Sequence, residues 1–434
     1  MTTEHVDVLV IGAGLSGIGA AARLTQEHPQ RSYAVLEARE ASGGTWDLFR
    51  YPGIRSDSDM YTMGYRFRPW RSNQALADGP SILSYVRDTA AEYGVDRHIR
   101  YRHRVTAADW DSGSARWTVT AQTPDGEVQL TAGFLWACSG YYDYDEPYRP
   151  ELPGLDDFGG TVVHPQHWPD DLDTTGRRVL VIGSGATAMT LVPALADAGA
   201  AQVTMLQRSP TYVMSLPGED PVATRVRKWL PERASYWLLR WKNVALAVAS
   251  FQASRRWPAL ARRVIRAQAV RRLPEGFPVD VHFRPRYDPW DQRLCLVPDG
   301  DLFRVIREGR VDVVTDTVET FTEKGVRVSS GDELLADVVV TATGFNLKIM
   351  GGTALSVDGE PVDLTRRMAY RALMFGGVPN FAFTIGYTNA SWTLKADLVA
   401  DYVCRLLAHL DAHGHRSAVP VPDPGVAPAP FMDF

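Results

Sequence analysis

Two glycine-rich segments lie where backbone could approach a phosphate. Each follows an apolar run, residues 6–11 in the first case and residues 179–182 in the second, and each precedes a stretch of helical pattern. A strand, a glycine turn and a helix in this order present orphan N–H groups and a positive helix end to a pyrophosphate, so each segment predicts a dinucleotide site. The residues predicted to approach the nucleotides are Gly12, Gly14, Ser16 and Gly17 in the first loop and Gly183, Gly185, Thr187 and Ala188 in the second.

The two segments differ in the charge that follows them. Glu37 lies 25 residues after Gly12, and Arg208 lies 25 residues after Gly183. The equal spacing predicts one shared structural position, where an acid suits a free ribose hydroxyl pair and a cation suits a 2′-phosphate. Ser209 adds a hydroxyl next to Arg208. The first site is therefore predicted to bind FAD and the second to bind NADPH.

Two longer motifs surround these loops. The first comprises Gly43, Gly44, Thr45, Trp46, Tyr51, Pro52, Gly53 and Asp57. The second comprises Phe158, Gly160, His164, Trp168 and Pro169. Both match the fingerprints of the type I Baeyer–Villiger monooxygenases at every defined position, and the chain resembles that family over nearly its whole length. Residues 43–61, 287–303 and 386–398 look most like its mycobacterial ethionamide-activating members.

The resemblance implies a reaction and its partners. It implies an FAD-dependent, NADPH-consuming monooxygenase that inserts one oxygen atom of O2 next to a ketone carbonyl by way of a flavin C4a-peroxide. The implied substrates are small lipophilic ketones, sulfides and thioamides. A fixed cation in a dry site would stabilise the negative charge that such chemistry develops.

The resemblance also implies roles for individual residues. Arg293 would be the catalytic cation and Asp57 its hydrogen-bonded partner. Gln292 stands where many relatives carry a lysine for the 2′-phosphate, so NADPH preference is expected to be weaker than Arg208 alone indicates. His164 and Trp168 are interpreted as conformational residues of the domain linker. Asn389 would help cap a C-terminal helix that points at the flavin.

One further segment is expected beside the flavin. Residues 341–345 resemble the short turn by which this superfamily closes its FAD domain.

Three alternatives stay open or are excluded on residues. A flavin disulfide reductase needs two neighbouring cysteines, and Cys138, Cys295 and Cys404 are far apart in sequence. An N-hydroxylating or general flavin-containing monooxygenase would lack the Trp168-Pro169 ending. A nucleotide-bound redox sensor would keep both glycine loops but would have no use for Asp57 and Arg293.

The predicted fold class is α/β, with two Rossmann-like dinucleotide-binding domains. We expect a first part of the FAD domain at residues 1–148, an NADP domain at 149–330, and a second part of the FAD domain at 331–434. The NADP domain would carry a helical insert at residues 221–275. A long helix is predicted at about residues 391–413, with Leu394, Leu398, Val399, Tyr402 and Leu406 on its packed face.

Charge and composition limit the partners. The 434 residues carry a net charge of -5, which gives no reason to expect nucleic acid, and no metal site is predicted. The insert carries 13 basic and two acidic side chains, with tryptophans between them. Such a segment is typical of a solvated basic face, and it also allows weak contact with an anionic membrane. We expect a cytoplasmic protein, with membrane association left open.

Overall fold

Two mainly parallel sheets form the frame of the molecule, in a computed structural model that describes residues 3–292, 294–387, 390–423 and 425–426. The strands are β1 Glu4–Ile11, β2 Tyr33–Leu36, β3 Ile99–Arg100, β4 Arg104–Asp111, β5 Arg116–Thr123, β6 Gly126–Ala137, β7 Tyr142–Pro147, β8 Thr161–Val163, β9 Arg178–Ile182, β10 Gln202–Gln207, β11 Tyr212–Leu216, β12 Leu294–Pro298, β13 Val311–Thr315, β14 Val318–Thr322, β15 Gly325–Val328, β16 Glu333–Leu335, β17 Val338–Thr341, β18 Phe345–Leu347, β19 Ala354–Val357, β20 Glu360–Pro361, β21 Ala369–Tyr370, β22 Met374–Phe375 and β23 Phe381–Phe383. The α-helices are α1 Leu15–Glu27, α2 Thr45–Leu48, α3 Met60–Met63, α4 Gly79–Glu92, α5 Ala186–Asp197, α6 Ala223–Trp229, α7 Glu232–Arg256, α8 Pro258–Arg272, α9 Val279–His282, α10 Asp301–Arg307 and α11 Trp392–His413.

The larger sheet has the order β20-β19-β4-β5-β6-β1-β2-β3, with β23 beside β6. Its central strands β6, β1, β2 and β3 run parallel, while β4 and β5 form an antiparallel meander with β6. Strand β2 and the second halves of β1 and β6 are buried and largely apolar, because both faces of a parallel sheet are covered there. Helices α1, α4 and α11 pack on one face of this sheet.

The smaller sheet has the order β13-β10-β9-β17-β8 and is parallel throughout. Helices α5 and α10 pack against it, and a second meander, β14-β15-β16, lies beside it. Both sheets thus repeat one pattern of strand, glycine turn and helix with a meander attached. The fold is α/β with two Rossmann-like units, as predicted.

The predicted domain boundary at residues 330/331 is wrong, because the chain still contributes a strand to the smaller sheet at residues 338–341. Strand β17 pairs with β9 and β8, so it belongs to the second unit. The return to the first unit follows through β18, which pairs with β7 in a two-stranded ribbon. The hydrophobic run at 337–341 has no local mark that tells which sheet it joins, and only the pairing decides.

The turn at residues 341–345 is also placed differently from the prediction. Thr341 pairs with Ile182, the last residue before the second glycine loop. A Cβ at Gly183 would lie 2.2 Å from the carbonyl oxygen of Ala342. This turn therefore borders the second loop, in the way that Cys138 borders the first.

Helix α11 matches the predicted span and ends at Gly414 in a left-handed conformation with φ 64°. Its packed face differs from the prediction, because Leu398 is exposed. The residues that are buried are Thr393, Ala396, Asp397, Val399, Ala400, Val403, Cys404, Leu407 and Leu410. The face is rotated toward small residues because α11 packs closely on α1.

Candidate active site between the two glycine loops

The first glycine loop is held by close backbone contacts. The N–H of Gly12 donates to the carbonyl of Leu36 over 2.7 Å, and Gly12 has a φ of 98°. A Cβ at Gly17 would lie 1.8 Å from the carbonyl oxygen of Gly12, so a side chain there would force α1 away from the sheet. A Cβ at Gly14 would have no protein atom closer than 3.5 Å. The loop is therefore tight where it turns and open where a pyrophosphate would lie.

Glu37 fixes the other side of the first site. Its carboxylate is 6% exposed and accepts from the backbone N–H of Ala13 at 2.7 Å and of Arg39 at 2.9 Å. The two backbone donors replace hydrogen bonds to water that this carboxylate loses on burial. The predicted ribose-binding acid is thus in position next to the loop.

The first fingerprint begins as a cover over this loop. The N–H of Gly43 donates to the carbonyl of Ala13 at 2.9 Å. Gly44 has a φ of 57°, and a Cβ there would lie 3.0 Å from the Cα of Gly14. The two glycines are required because the cover approaches the loop backbone to backbone.

The residues after these glycines line the same space. The hydroxyls of Thr45 and Tyr144 lie 2.9 Å apart, and burial raises the pKa of Tyr144 to about 12. Trp46 also borders the space.

A buried acid that the sequence reasoning missed holds this cover in place. Asp47 has a side chain only 3% exposed, and it pairs with Arg39 at 2.7 Å and with Arg87 at 2.6 Å. Arg39 also donates to the carbonyl of Gly44. An acid directly after Trp46, with arginines before and after it, is the signal that could have indicated this cluster.

The first fingerprint ends against the second unit. A Cβ at Gly53 would lie 2.5 Å from the carbonyl oxygen of Thr190 in α5. The Thr190 hydroxyl donates to that of Tyr51 at 3.4 Å. One motif therefore covers the first loop and docks on the helix that follows the second loop.

Arg55, a second residue that the sequence analysis did not identify, also holds the first fingerprint against α5. It pairs with Asp301 at 2.7 Å and donates to the carbonyl of Met189 at 3.3 Å. Burial raises the pKa of Asp301, and the Arg55 guanidinium opposes that rise.

The second glycine loop repeats the first, with one change of register. The N–H of Gly183 donates to the carbonyl of Leu206 at 2.8 Å, as Gly12 donates to Leu36. Ile182 faces Leu206 as Ile11 faces Leu36. The structural counterpart of Glu37 is therefore Gln207, and Arg208 lies one residue further along the chain.

The prediction that Arg208 occupies the same structural position as Glu37 is therefore wrong. The second unit has one residue fewer than the first between the first glycine of the loop and the leucine of the neighbouring strand that accepts its hydrogen bond. Gln207 is buried, and its side-chain amide donates to the carbonyl of His282 at 2.8 Å and to the hydroxyl of Thr315 at 2.9 Å. Its side chain turns away from the loop. Arg208 is exposed just beyond the strand end, where it remains the candidate cation for a 2′-phosphate.

The second loop is more open than the first. A Cβ at Gly185 would meet no protein atom within 4 Å. The hydroxyl of Ser184 donates to the carbonyl of Ser209 at 3.2 Å, which ties the loop to the segment that carries Arg208. Ala188 is fully buried and takes the place that Gly17 has in the first unit. Thr187, which precedes Ala188, lies in the first turn of α5.

The second fingerprint lies at the junction of the two units. His164 precedes a single 3-10 turn, Pro165–His167, and its Nδ1 accepts from the N–H of Gln166 at 3.2 Å. The ring centroids of His164 and Phe345 lie 6.1 Å apart, and those of Phe345 and Phe49 lie 5.0 Å apart. Phe49 belongs to the segment of the first fingerprint. Trp168 packs on the core of the second unit.

The environment of His164 agrees with a structural role. Burial lowers the pKa of His164 to about 4, so the imidazole is neutral at physiological pH.

One cavity runs from the first glycine loop to the first turns of α5. It has a volume of about 520 Å³ and extends from Gly12 and Glu37 past Asp57 to Met189 and Thr190 of α5. Pockets for small ligands and cofactors measure roughly 300–1,000 Å³. The start of α11 borders the cavity, and the indole N–H of Trp392 donates to the hydroxyl of Ser16 at 2.7 Å. Trp392 is a third residue missed from sequence, although it lies inside the resembling segment 386–398.

Two predicted residues, Arg293 and Asn389, lie outside the described residues. Gln292 is exposed, and Cys295 and Leu296 of β12 line the cavity. Ser391 stands at the N-cap of α11, but its hydroxyl lies 2.6 Å from that of Thr62 and does not cap the helix.

The cysteines provide no redox pair. Cys138, Cys295 and Cys404 are buried and outside any disulfide, and burial raises the pKa of Cys138 and of Cys404 to about 12. A buried thiol with a raised pKa is inert, which excludes Cys138 and Cys404 and leaves no cysteine pair for a disulfide reductase. Within the described residues, no helix combines the length and apolarity needed to span a membrane.

Residues 72–351 match the model of the flavin-binding monooxygenase-like family, and residues 10–72 match that of an NAD(P)-binding Rossmann-like domain. The chain belongs to the flavin-binding monooxygenase-like family. It is 57% identical over 434 residues to the FAD-containing monooxygenase EthA of Mycobacterium tuberculosis. The alignment covers all of this chain and 88% of that protein. The chain is 55% identical over 433 residues to EthA of Mycolicibacterium smegmatis, with the same coverage.

A solved structure of similar fold is that of a steroid monooxygenase bound to NADP. It aligns with a TM-score of 0.80 and 25% identity over 95% of this chain and 87% of that one. The prediction of a flavin-dependent monooxygenase similar to the mycobacterial EthA proteins is confirmed. The predicted cofactors, FAD and NADP, are those named for these proteins.

Proposed function

We propose that the protein is an FAD-dependent, NADPH-consuming Baeyer–Villiger monooxygenase of lipophilic ketones that also oxidises sulfides and thioamides. The observation that carries this proposal is the single cavity that joins the first glycine loop, Asp57 and helix α5. An oxygenase of this kind needs a reductant site and an oxygenation site that share one enclosed space.

The two glycine loops and their flanking residues fit the two cofactors. The open face at Gly14, the buried carboxylate of Glu37 and the cover at Gly44 suit the FAD pyrophosphate and ribose. The open face at Gly185 and the exposed cation of Arg208 suit NADPH. FAD bound there and reduced by NADPH would activate O2 for transfer of one oxygen atom.

Residues of the chain itself exclude water and position Asp57. Phe49, Tyr51 and Phe345 close the junction between the units with apolar rings, which excludes water from that side. Arg55 holds the segment that carries Asp57 against α5. We infer that Asp57 orients the guanidinium of Arg293 and that this cation stabilises the negative charge formed during oxygen transfer.

The test is a product analysis with the FAD-loaded protein. Ketone, O2, NADPH and one proton should give ester, NADP+ and water, with one atom of labelled O2 in the ester. Mixing with NADPH under anaerobic conditions should bleach the flavin, and admission of O2 with a methyl ketone should form the ester. A general or N-hydroxylating monooxygenase would bleach equally but leave the ketone intact and oxidise an amine instead.

Arg293→Ala tests the catalytic assignment. The variant should still bleach with NADPH, but it should release hydrogen peroxide in place of ester, because the charge that develops in oxygen transfer has lost its counter-ion. Arg286→Ala removes an exposed arginine of the same segment and serves as the matched control. Normal ester formation by Arg293→Ala would overturn the assignment.

A further inference from the structure

Helix α7 of the insert turns an apolar stripe toward solvent. Leu238, Trp241, Ala245 and Val248 recur at helical spacing and are all exposed, with Trp241 63% exposed. The opposite face of the helix is the buried one. The outward face of a surface helix is normally polar, so apolar residues there need an explanation.

The same feature continues into the neighbouring helices. Leu260 and Val264 of α8 are exposed, and so are Trp257 between the helices and Trp229 at the end of α6. Trp229 is 79% exposed and Trp257 57%. We call this set, together with the stripe on α7, the insert surface.

The insert surface is a fixed part of the fold. Arg240, on the buried face of α7, donates to the carbonyls of Tyr61 at 3.0 Å and Gly64 at 2.8 Å and pairs with Asp397 at 3.2 Å. Burial raises the pKa of Asp397 to about 6, against the opposing effect of the Arg240 charge. Because one face of α7 is locked in this way, its apolar stripe cannot turn inward.

Further ion pairs fasten the insert to residues 280–291. Arg255 pairs with Asp291, Arg262 with Asp288, and Arg266 with Asp280. These contacts neutralise part of the basic charge. Eight insert cations form no ion pair with any acidic side chain that the structure describes, namely Arg225, Arg227, Lys228, Arg233, Arg256, Arg263, Arg271 and Arg272.

Two of these cations share a face with the exposed apolar residues. Arg263 and Arg271 lie three and eleven residues after Leu260, which places them beside Leu260 and Val264 on α8.

Exposed Trp257 follows the unpaired Arg256, and exposed Trp229 follows the unpaired Lys228. Tryptophans beside unpaired cations suit the boundary between lipid head groups and acyl chains.

We propose that the insert surface docks on an anionic phospholipid bilayer. The insert carries +11 in a chain of net charge -5, so the remaining residues carry -16. An anionic membrane would therefore attract this face and repel the rest, which sets the orientation. A second copy is disfavoured as the partner, because an isologous contact would set the same positive face against itself. The proposal goes beyond the oxygenation reaction and does not depend on it.

Vesicle flotation of the FAD-loaded protein tests the proposal. At low salt the protein should float with vesicles of equal parts phosphatidylglycerol and phosphatidylcholine, and high salt should release it. It should stay behind with pure phosphatidylcholine vesicles. Failure to float with the anionic vesicles at low salt, or equal binding to both kinds, would overturn the proposal.

Matched variants assign the binding to this surface. The double variant Arg263→Gln/Arg271→Gln should lower the vesicle partition coefficient about thirtyfold, because the loss of each arginine lowers it about fivefold. The control double variant Arg366→Gln/Arg367→Gln, at two exposed arginines outside the insert, should leave it unchanged. Leu238→Ser should lower it, and Leu398→Ser, equally exposed on α11, should not. Equal losses in both members of a pair would contradict the proposal. So would a dimer in analytical ultracentrifugation that Leu238→Ser dissociates, because a second copy would then cover the surface.

Discussion

The two glycine loops share one backbone pattern and differ in how open they are. Both loops donate from their first glycine to a leucine of the neighbouring strand, and both are bordered by a turn from the strand on the other side. The first loop is covered by Gly43 and Gly44 and closed at its far end by Trp392. The second has free space above Gly185 and an exposed arginine beside it. An enclosed loop suits a nucleotide that stays through many turnovers, and an open loop suits one that exchanges.

The largest expected effect concerns the third glycine position. Gly17→Ala would put a Cβ 1.8 Å from the Gly12 carbonyl oxygen, so α1 would have to move. We expect a loss of about 3 kcal/mol or more of stability and of nearly all bound FAD. The flavin-to-protein absorbance ratio and the melting temperature measure this.

Ala188→Gly in the second unit is the matched control for that variant. It removes a methyl from a helix and should cost only about 1 kcal/mol while FAD stays bound. If Gly17→Ala kept its flavin, the two loops would not differ in packing as described.

The next effect concerns the acid of the first unit. Glu37→Gln removes the charge that two backbone N–H groups share. Because hydrogen bonds to charged groups contribute about 1.5–3 kcal/mol, FAD should bind about 10–100-fold more weakly. Titration of the apoprotein with FAD measures the change. Exposed Glu40→Gln should leave the affinity unaltered, and an unaltered affinity in Glu37→Gln would refute the role of this acid.

The register of the second unit predicts a smaller and more selective effect. Arg208→Gln should raise the KM for NADPH about tenfold and leave the KM for NADH unchanged, because only NADPH carries the 2′-phosphate. Gln207→Ala should lower the melting temperature without changing this selectivity, since its amide bonds inside the protein. A change of selectivity in Gln207→Ala would contradict the register.

The smallest effect concerns the junction of the units. Folding lowers the pKa of His164 from 6.5 to about 4, so below pH 6.5 the unfolded chain takes up a proton that the folded chain refuses. Stability is therefore complete above pH 6.5, and we expect this residue to account for a loss of about 1 kcal/mol between pH 6.5 and about pH 5.5. Melting temperatures against pH should show a shallower fall for His164→Gln than for the wild type. The exposed His409→Gln is the control, and equal slopes in all three proteins would exclude His164 as the cause.

Local pattern and spacing predicted much of the fold. Each glycine loop, the helical insert and α11 depend on residues close together in the chain, so their periodicity and turn residues indicate them. The sheet to which residues 338–341 belong, and the packed face of α11, depend on partners more than 100 residues away in sequence. Such long-range pairing leaves no local signal.

The candidate site divides in the same way. The fingerprint residues were identified from sequence. Arg39, Asp47 and Arg55 were missed, because their ion pairs form only in the folded chain and the local charge pattern around Asp47 does not specify the partners.

Residue types at short, fixed intervals were enough to predict two dinucleotide loops and to identify the family. The folded chain was needed to show that Gln207, and not Arg208, is the counterpart of Glu37, because strand register is set by hydrogen bonds between separate segments. It also showed that one fingerprint joins both loops and that the insert turns tryptophans outward. Packing between distant elements fixes which way each side chain faces, and spacing along the chain cannot specify it.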